Sequence, residues 1–335
     1  MVNRESPAPT ISVVMPTYNR GYIIRRAIDS VIAQTCNDWE MVIVDDGSND
    51  DTKEIIASYG DSRIVYQRQD PAKKGAAAAR NLGITSSRGE YVAFIDSDDQ
   101  WLPEKLEKQY QVFQTTDLEN VGVVICGLRI FEPGGERIVS PSRRGWVRQD
   151  LLALRGNLSN INMMIKKSAA QGQLWFDESL KSSEEWDLQI RLAGVSQYDY
   201  CADAVVHKFE LSNDRVYSGT NIPDWLSVVL ERYEDELWAM PKVMARHWGG
   251  IGLTYWNLGY PRQARQAVRR GLKARAWSLR LNLYLLTTFT GKPGRRLTRS
   301  LQGVVAGWPR LSSRRHGRVR SKENTRVGIP TQPAG

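Results

Sequence analysis

The sequence predicts an α/β fold with a mostly parallel central sheet, followed by a helical C-terminal region. Through the first hundred residues, short apolar runs rich in β-formers alternate with segments of helical periodicity, as in strands joined by crossover helices. From residue 223 to 300 the periodicity is helical throughout. The chain has 335 residues, of which 41% are hydrophobic and 25% charged, enough for one large core or two smaller ones.

Four strands are predicted in the first hundred residues, at 11–15, 41–44, 63–66 and 91–95. The helices between them are predicted at 23–32, around 55–59 and at 76–82. Polar clusters follow three of the strands, at 17–19, 45–46 and 96–99. Because α/β sheets bind ligands outside the carboxyl ends of their strands, these clusters predict a binding site at that edge.

Beyond residue 100 the pattern changes. We expect a helix over 101–113, a hairpin formed by 121–130 and 137–139, a strand at 161–165 and a helix that opens at Glu184. Three segments are predicted from these patterns: an α/β domain at 8–220, a basic helical region at 221–309 and a disordered basic tail at 310–335.

Charge is distributed very unevenly along the chain. The net charge is +9, but residues 242–335 hold 20 Lys and Arg against one acid, whereas residues 1–241 hold 26 against 36. The basic third is open to two interpretations: a helical cap with a solvated arginine face, or a surface for anionic membrane. The second rests on apolar side chains beside the arginines, namely Trp277, Leu279, Leu281, Leu283, Tyr284, Leu285, Leu286 and Phe289.

Several classes of protein are excluded or disfavoured. No zinc-finger, helix-turn-helix or RNP-like pattern accompanies the charge, so no nucleic-acid partner is predicted. The apolar stretch at 277–289 is too short for a bilayer span, which needs about 20 residues. Three scattered cysteines and a first segment without an apolar leader predict a reducing, cytoplasmic location.

The sequence lacks the phosphate-binding loop G-x-x-x-x-G-K-[ST], the zinc motif H-E-x-x-H and the G-x-S-x-G elbow. An enzyme that handles a diphosphate without a glycine loop can instead neutralise it with a carboxylate-held cation. Asp96-Ser97-Asp98, at the end of a buried-type strand, suits Mg²⁺ or Mn²⁺ because both cations prefer hard oxygen ligands.

Five motifs in order give the sequence a specific resemblance. These motifs are residues 13–20 (VVMPTYNR), 44–48 (VDDGS), 79–83 (ARNLG), 89–91 (GEY) and 95–99 (IDSDD), continued by 176–178 and 184–188. The series resembles the family-2 glycosyltransferases, which are inverting enzymes with the GT-A fold, over roughly residues 10–210. The resemblance implies a nucleotide-sugar donor, expected to be a UDP-sugar, and a saccharide or lipid-linked saccharide acceptor in cell-surface polysaccharide synthesis.

The resemblance also implies roles for individual residues. The predicted nucleotide-sugar contacts are Pro16, Thr17, Tyr18, Asn19, Asp45, Lys74, Arg80, Asp96 and Ser97. Among them, Tyr18 is expected to stack on the base and Asp45 to accept a hydrogen bond from it. Asp98 is expected to bind the divalent cation, and His207 lies in a late segment that approaches the diphosphate or the metal in relatives.

The catalytic base is expected at the start of the helix that opens at Glu184. The family has Glu-Asp there with Asp as the base, whereas this chain has Glu184-Glu185, so Glu185 is predicted as base and Glu184 stays the alternative. Two other functions remain open: a sugar nucleotidyltransferase, and a catalytically silent sugar-nucleotide or lipid-binding module. A glycine-rich N-terminal signature would favour the nucleotidyltransferase, but Pro16-Thr17-Tyr18 stands there. The retained acids argue against the silent module.

Overall fold

The computed structural model of the protein describes residues 7–70, 75–155, 159–180, 182–210 and 222–289. Within these residues the strands form two sheets, one of seven strands and one of four. Helices flank the larger sheet, and a helical region follows both sheets. The predicted α/β class and the helical C-terminal region are confirmed.

The first hundred residues build the parallel half of the larger sheet. Their elements are β1 (Ile11–Thr17), α1 (Ile24–Ile32), β2 (Trp39–Asp45), α2 (Thr52–Ala57), β3 (Ile64–Arg68), α3 (Ala76–Ser86) and β4 (Tyr91–Phe94). Strands β3, β2, β1 and β4 lie side by side and are all parallel. In this register Thr17 lies beside Asp45, and Val14 lies beside Phe94. The polar segments after β1, β2 and β4 therefore meet at one edge, as predicted.

The next hundred residues complete the larger sheet and build the smaller one. They form β5 (Gln100–Trp101), α4 (Lys105–Thr115), β6 (Val121–Ile125), β7 (Leu128–Glu132), β8 (Gly135–Val139), α5 (Arg148–Leu152), β9 (Met163–Lys166), α6 (Glu184–Leu192), β10 (Gln197–Tyr200) and β11 (Val206–Phe209). The larger sheet has the order β10-β6-β9-β4-β1-β2-β3, in which β9 is antiparallel to both its neighbours. The smaller sheet has the order β5-β11-β7-β8.

The predicted elements that differ most from the observed ones are the run 121–130 and the helix from Trp101. The run 121–130 is divided at Cys126 and Gly127 into β6 and β7, which belong to different sheets. A Cβ on Gly127 would lie 2.9 Å from the carbonyl oxygen of Asp203, so only glycine permits this crossing between sheets. The helix expected from Trp101 begins at Lys105, because Trp101 pairs with Val206 in the smaller sheet.

The helical region shares its core with the sheet domain. Its helices are α7 (Ile222–Arg232), α8 (Glu234–Trp238), α9 (Pro241–Leu258), α10 (Pro261–Ala274) and α11 (Leu279–Thr287). Val229 and Leu230 of α7 belong to the same hydrophobic cluster as Trp186 and Leu188 of α6. None of the described helices has the length and apolar character needed to cross a bilayer. The predicted boundary at residue 220 and the tail at 310–335 lie outside the described residues.

An ion-paired anchor joins α7 to α6. The Asp187 carboxylate is fully buried and accepts hydrogen bonds from Arg191, Arg232 and the Tyr233 hydroxyl, at 2.7 to 2.9 Å. Arg232 also pairs with Asp177, at 2.5 Å. Because Asp187 is one helical turn from the first residue of α6, the anchor fixes the helix on which the predicted base stands.

Candidate active site

A cluster of three aspartates occupies the loop that leaves β4. One carboxylate oxygen from each of Asp96, Asp98 and Asp99 lies within 4.8 Å of the others. The backbone N–H of Asp99 donates to the carbonyl of Asp96 at 3.1 Å and closes the turn. Asp96 and Asp98 are half-buried, whereas Asp99 is buried. Three converging carboxylates fit a hard divalent cation such as Mg²⁺ or Mn²⁺, in agreement with the predicted cofactor class.

The electrostatics of the cluster favour a cation. Burial raises the pKa of Asp98 above its usual value, and the charge of Asp96 adds to the effect. Burial, together with Asp96 and Asp98, also holds the pKa of Asp99 well above its usual range. Like charges crowded in a partly dry site oppose one another's ionisation, and a bound divalent cation relieves that opposition.

Arg80 connects the aspartate loop to the predicted base. It lies on α3 with 5% exposure, and its Nη2 is 2.9 Å from Asp96 Oδ1. Its guanidinium is also 3.5 Å from Glu184 Oε1 and 3.9 Å from Glu185 Oε1. Burial alone would lower the pKa of Arg80, but the three carboxylates raise it above its usual value. The guanidinium therefore faces carboxylates of the protein, and its contact with the nucleotide-sugar donor stays a prediction.

The two glutamates open α6 at the same edge of the sheet. Ser183, just before them, has a left-handed backbone (φ 68°), which turns the chain into the helix. Glu185 is 26% exposed. Burial raises the pKa of Glu185 to about 7, although the charges of Arg80 and Lys208 oppose the rise. A carboxylate with a pKa near neutrality is well matched to general-base catalysis.

Lys208 belongs to the site and was not predicted. It lies on β11 and is half-buried. Burial lowers the pKa of Lys208, but the charges of Glu185, Asp99 and Asp96 raise it above its usual value. The pairing of β11 with β5, which directly follows the aspartate loop, brings Lys208 there. The backbone N–H of Phe209 also donates to Asp99 Oδ1, at 3.0 Å.

His207 is turned away from this cluster. Successive side chains of a strand face opposite sides, so His207 and Lys208 point apart. The His207 ring packs against Phe131, with the ring centroids 5.3 Å apart. Among the His, Cys, Asp and Glu side chains of the described residues, the ligating atoms that converge belong to the three aspartates and not to His207. The candidate metal site therefore consists of the three aspartates without His207.

The predicted nucleotide contacts after β1 and β2 divide into exposed and structural residues. Tyr18 is exposed and free to meet a ligand. Asp45 is fully buried, and its carboxylate accepts hydrogen bonds from the N–H groups of Gly47 and Ser48 and from the Tyr66 hydroxyl. The Asp45 carboxylate thus has three hydrogen-bond donors within the protein, and its hydrogen bond to a base stays a prediction.

The other predicted contacts surround Tyr18 or follow β4. Pro16 is half-buried and Thr17 is buried. Asn19 joins two loops, because its N–H donates to Ser48 Oγ at 2.8 Å and its Oδ1 accepts from the N–H of Asn49. Ser97 is buried in the aspartate loop. Lys74 lies outside the described residues.

Comparison with known proteins assigns the chain to a family. Residues 12–169 match the sequence model of the family described as "Glycosyl transferase family 2". An uncharacterised glycosyltransferase of Rickettsia prowazekii is 30% identical over 239 residues, which cover 69% of this chain and 71% of that protein. The chain belongs to glycosyltransferase family 2.

A named relative of this family-2 glycosyltransferase is WfgD of Escherichia coli. It is described as a UDP-Glc:alpha-D-GlcNAc-diphosphoundecaprenol beta-1,3-glucosyltransferase. The two proteins are 42% identical over 99 residues, which cover 30% of this chain and 39% of WfgD. The chain thus matches well under half the length of that relative.

A solved structure shares the fold of this family-2 glycosyltransferase. TarS of Staphylococcus aureus, residues 1–349 in complex with UDP-GlcNAc, superposes with a TM-score of 0.64 at 17% identity. The match covers 88% of this chain and 92% of that one. Together with the parallel sheet and the family assignment, this likeness confirms the predicted GT-A fold.

Proposed function

We propose that the protein is a metal-dependent inverting glycosyltransferase of polysaccharide biosynthesis. Its donor would be a nucleoside-diphosphate sugar, and specifically a UDP-sugar; its acceptor would be a hydroxyl of a saccharide or lipid-linked saccharide. One observation carries the proposal. The buried guanidinium of Arg80 pairs both with Asp96, in the loop whose three aspartates could bind a cation, and with Glu185. The pKa of Glu185 is about 7.

Two relatives support the chemical class of donor and acceptor. The E. coli relative is named for UDP-glucose and for an acceptor carried on diphosphoundecaprenol. TarS has been solved with UDP-GlcNAc. These names describe those proteins. We extend to this chain the uridine-diphosphate sugar donor that they have in common, and the lipid-linked saccharide acceptor of the E. coli relative alone.

The proposed mechanism is a single in-line displacement. Asp98 and Asp99, with Asp96 beside them, would hold a divalent cation, which when bound supplies positive charge for the diphosphate leaving group. The Glu185 carboxylate accepts the proton of the acceptor hydroxyl, and that oxygen forms a bond to the anomeric carbon of the donor sugar. The bond from this carbon to the diphosphate breaks, and the nucleoside diphosphate leaves. One displacement with no covalent intermediate inverts the anomeric configuration.

Two basic side chains of the site, Arg80 and Lys208, act on the base in this mechanism. Arg80 pairs with both Asp96 and Glu185 and so holds the base close to the aspartates that would bind the metal. Lys208 and Arg80 hold the pKa of Glu185 lower than burial alone would set it. Glu185 is therefore largely ionised at slightly alkaline pH.

A lipid-linked acceptor would also set where the enzyme works. Such an acceptor keeps its diphosphate and sugar at the bilayer surface, so the proposal includes peripheral contact with the cytoplasmic face of a membrane. The net positive charge of the C-terminal third supports contact with anionic lipid.

Nucleotide binding tests the donor site. Calorimetry with UDP, with and without Mn²⁺, is compared for the native protein, Asp98→Ala and the control Asp203→Ala, an exposed acid paired with Lys108. We expect Mn²⁺-dependent binding that is lost in Asp98→Ala and kept in Asp203→Ala. Binding of GDP or dTDP instead of UDP would overturn the donor assignment. Absence of binding for every nucleotide and metal would overturn the proposed function.

A second comparison identifies the base. Glu185→Gln should lower kcat by about 10² to 10⁴, the usual contribution of a general base, and should leave UDP binding intact. Glu184→Gln removes a carboxylate that also pairs with Arg80, at 3.5 Å, and serves as the matched control. If Glu184→Gln has the larger effect on kcat, the alternative base is correct.

A further inference from the structure

The outer face of α11 carries an exposed stripe of leucines. On its inner face Leu281 and Tyr284 are buried in the cluster that joins α11 to α9 and α10. Leu279, Leu283 and Leu286 recur at i, i+4 and i+7, which places them on one face of the helix. Their side chains are 74%, 45% and 63% exposed. The helix is therefore apolar on two faces, and one of them packs against the protein.

Each end of the stripe has an exposed aromatic ring with an arginine near it. Trp277, just before α11, is 96% exposed, and Arg275 nearby is also exposed. Phe289, just after α11, is 61% exposed, and the guanidinium of Arg265 lies 4.8 Å from its ring centroid. We call Trp277, Leu279, Leu283, Leu286 and Phe289 the α11 surface. Leucines bounded by aromatic and basic side chains are typical of helices that lie in a membrane interface.

Charge limits what can cover the α11 surface. Residues 242–289 contain nine Lys and Arg and no acid. Four of these cations are exposed on the neighbouring α10, and the spacing of Arg262, Arg269 and Lys273 places those three on one face. Residues 290–335 add eleven Lys and Arg against one acid. A second copy that docked through this same surface, or the chain's own last residues, would therefore bring like charge to it.

We propose that the α11 surface docks on an anionic phospholipid bilayer, with α11 lying in the plane of the interface. The leucines would enter the acyl boundary while the basic residues of α10 meet the lipid phosphates. A nucleic acid would satisfy the cations but leave the leucines in water. The inference rests on the proposed function for its purpose, since a lipid-linked acceptor is reached from such a surface. Membrane binding itself is measured without any acceptor.

Vesicle flotation of the full chain tests the surface. The probes are vesicles of mixed phosphatidylglycerol and phosphatidylcholine, and vesicles of phosphatidylcholine alone. The test variant is Leu279→Ser/Leu283→Ser/Leu286→Ser. The matched control, Ile138→Ser/Trp146→Ser, removes two exposed apolar side chains of the sheet domain. We expect binding to the anionic vesicles only, weakened by high salt, and reduced at least about tenfold in the test variant. The control variant should bind as the native protein does.

Three results would overturn the proposal: no flotation of the native protein with anionic vesicles, equal flotation of the test variant, or a lipid-free dimer that the test variant converts to a monomer. The last would show that the α11 surface joins two copies of the chain. UDP binding is measured on the same samples and should be unchanged by the test variant. Vesicle binding without nucleotide binding would support the α11 surface and overturn the proposed glycosyltransferase activity. Nucleotide binding without vesicle binding would support the proposed activity and overturn the membrane contact.

Discussion

The guanidinium of Arg80 lies 3.9 Å from the Glu185 carboxylate, although the two residues stand on different helices, α3 and α6. The same guanidinium forms the 2.9 Å pair with Asp96. The buried guanidinium thus pairs both with the aspartate loop and with the predicted base. The pKa of the base consequently depends on a residue that the structure keeps almost entirely from solvent.

Replacing Arg80 should shift the pH dependence of activity. Its positive charge lowers the pKa of Glu185, so Arg80→Met should raise that pKa further above about 7. The acid limb of kcat/KM should move to higher pH by about one unit, with activity recovering toward pH 9. Arg88→Met, which removes an arginine paired with Glu40 at 2.9 Å, is the control and should leave the limb in place. An unmoved limb with uniformly lower kcat/KM would show that Arg80 does not act through Glu185.

Lys208 and His207 offer a comparison of two faces of one strand. Lys208→Met removes a charge that lowers the pKa of Glu185, so it should shift the acid limb in the same direction as Arg80→Met. His207→Ala changes the opposite face and should not shift it. The measurement is kcat/KM against pH for both variants. If His207→Ala shifts the limb and Lys208→Met does not, His207 and not Lys208 faces Glu185.

Lys105 is a buried cation that the proposed reaction does not use. Its side chain is fully buried over the Trp101 ring, with Nζ 3.7 Å from the centroid, and Nζ has no hydrogen-bond partner among the described residues. Burial lowers the pKa of Lys105 to about 8, from 10.5. The folded state binds the Lys105 proton less tightly than the unfolded state does. The free energy of unfolding of the native protein, compared with that of a variant with a neutral side chain at this position, therefore falls as the pH drops from 10.5 to 8.

Lys105→Met should therefore stabilise the protein near neutral pH. At about 1.4 kcal/mol for each pKa unit, the free energy of unfolding should rise by up to about 3 kcal/mol at pH 7. The gain should shrink between pH 8 and 10.5, where native Lys105 loses its proton. Urea denaturation of both proteins at pH 7 and pH 10 measures the difference. Lys108→Met, one turn along α4 on a more exposed side chain, should change stability by less than about 0.5 kcal/mol. A gain independent of pH would refute this explanation.

The anchor at Asp187 should be worth more than an exposed ion pair of the same length. Arg232 and Asp187 are 2.7 Å apart with the carboxylate fully buried, while Arg129 and Glu136 are 2.7 Å apart on the surface. Arg232→Met should lower the free energy of unfolding by about 2 kcal/mol, because it leaves a buried carboxylate with fewer partners. Arg129→Met should lower it by less than about 1 kcal/mol. Equal losses in urea denaturation would contradict the anchoring role.

The parts of the fold that could be predicted are those set by local pattern. The alternation through residue 95 located β1 to β4 and their helices, and Pro133-Gly134-Gly135 located the turn between β7 and β8. In contrast, α5, β10 and β11 are only four or five residues long, and β10 and β11 mix polar with apolar side chains. Their existence depends on pairing and packing with distant segments, which periodicity in a single sequence does not reveal.

The same division applies to the candidate site. Asp96, Asp98 and Glu185 were predicted from motifs, and Asp99 stands inside the predicted polar cluster. Lys208 carries no local signal, because it reaches the site only when β11 pairs with β5. Asp45 as a nucleobase contact stays a prediction, and the hydrogen bond that its carboxylate accepts from Tyr66 on β3 could not be predicted because it depends on the pairing of two strands. Motifs gave the residue types of the site, and tertiary pairing gave their orientation.

The pairing of β5 with β11 also bears on the order in which the protein acquires its site. Phe209 and Asp99 are separated by 110 residues of chain, yet they share a hydrogen bond. A nascent chain that ended at residue 169 would hold the aspartates but neither α6 nor β11. Contacts between such distant segments form slowly because a long loop must close first. The residues of the aspartate loop are thus synthesised early. Their contacts with β11 form late, after more than a hundred further residues have emerged.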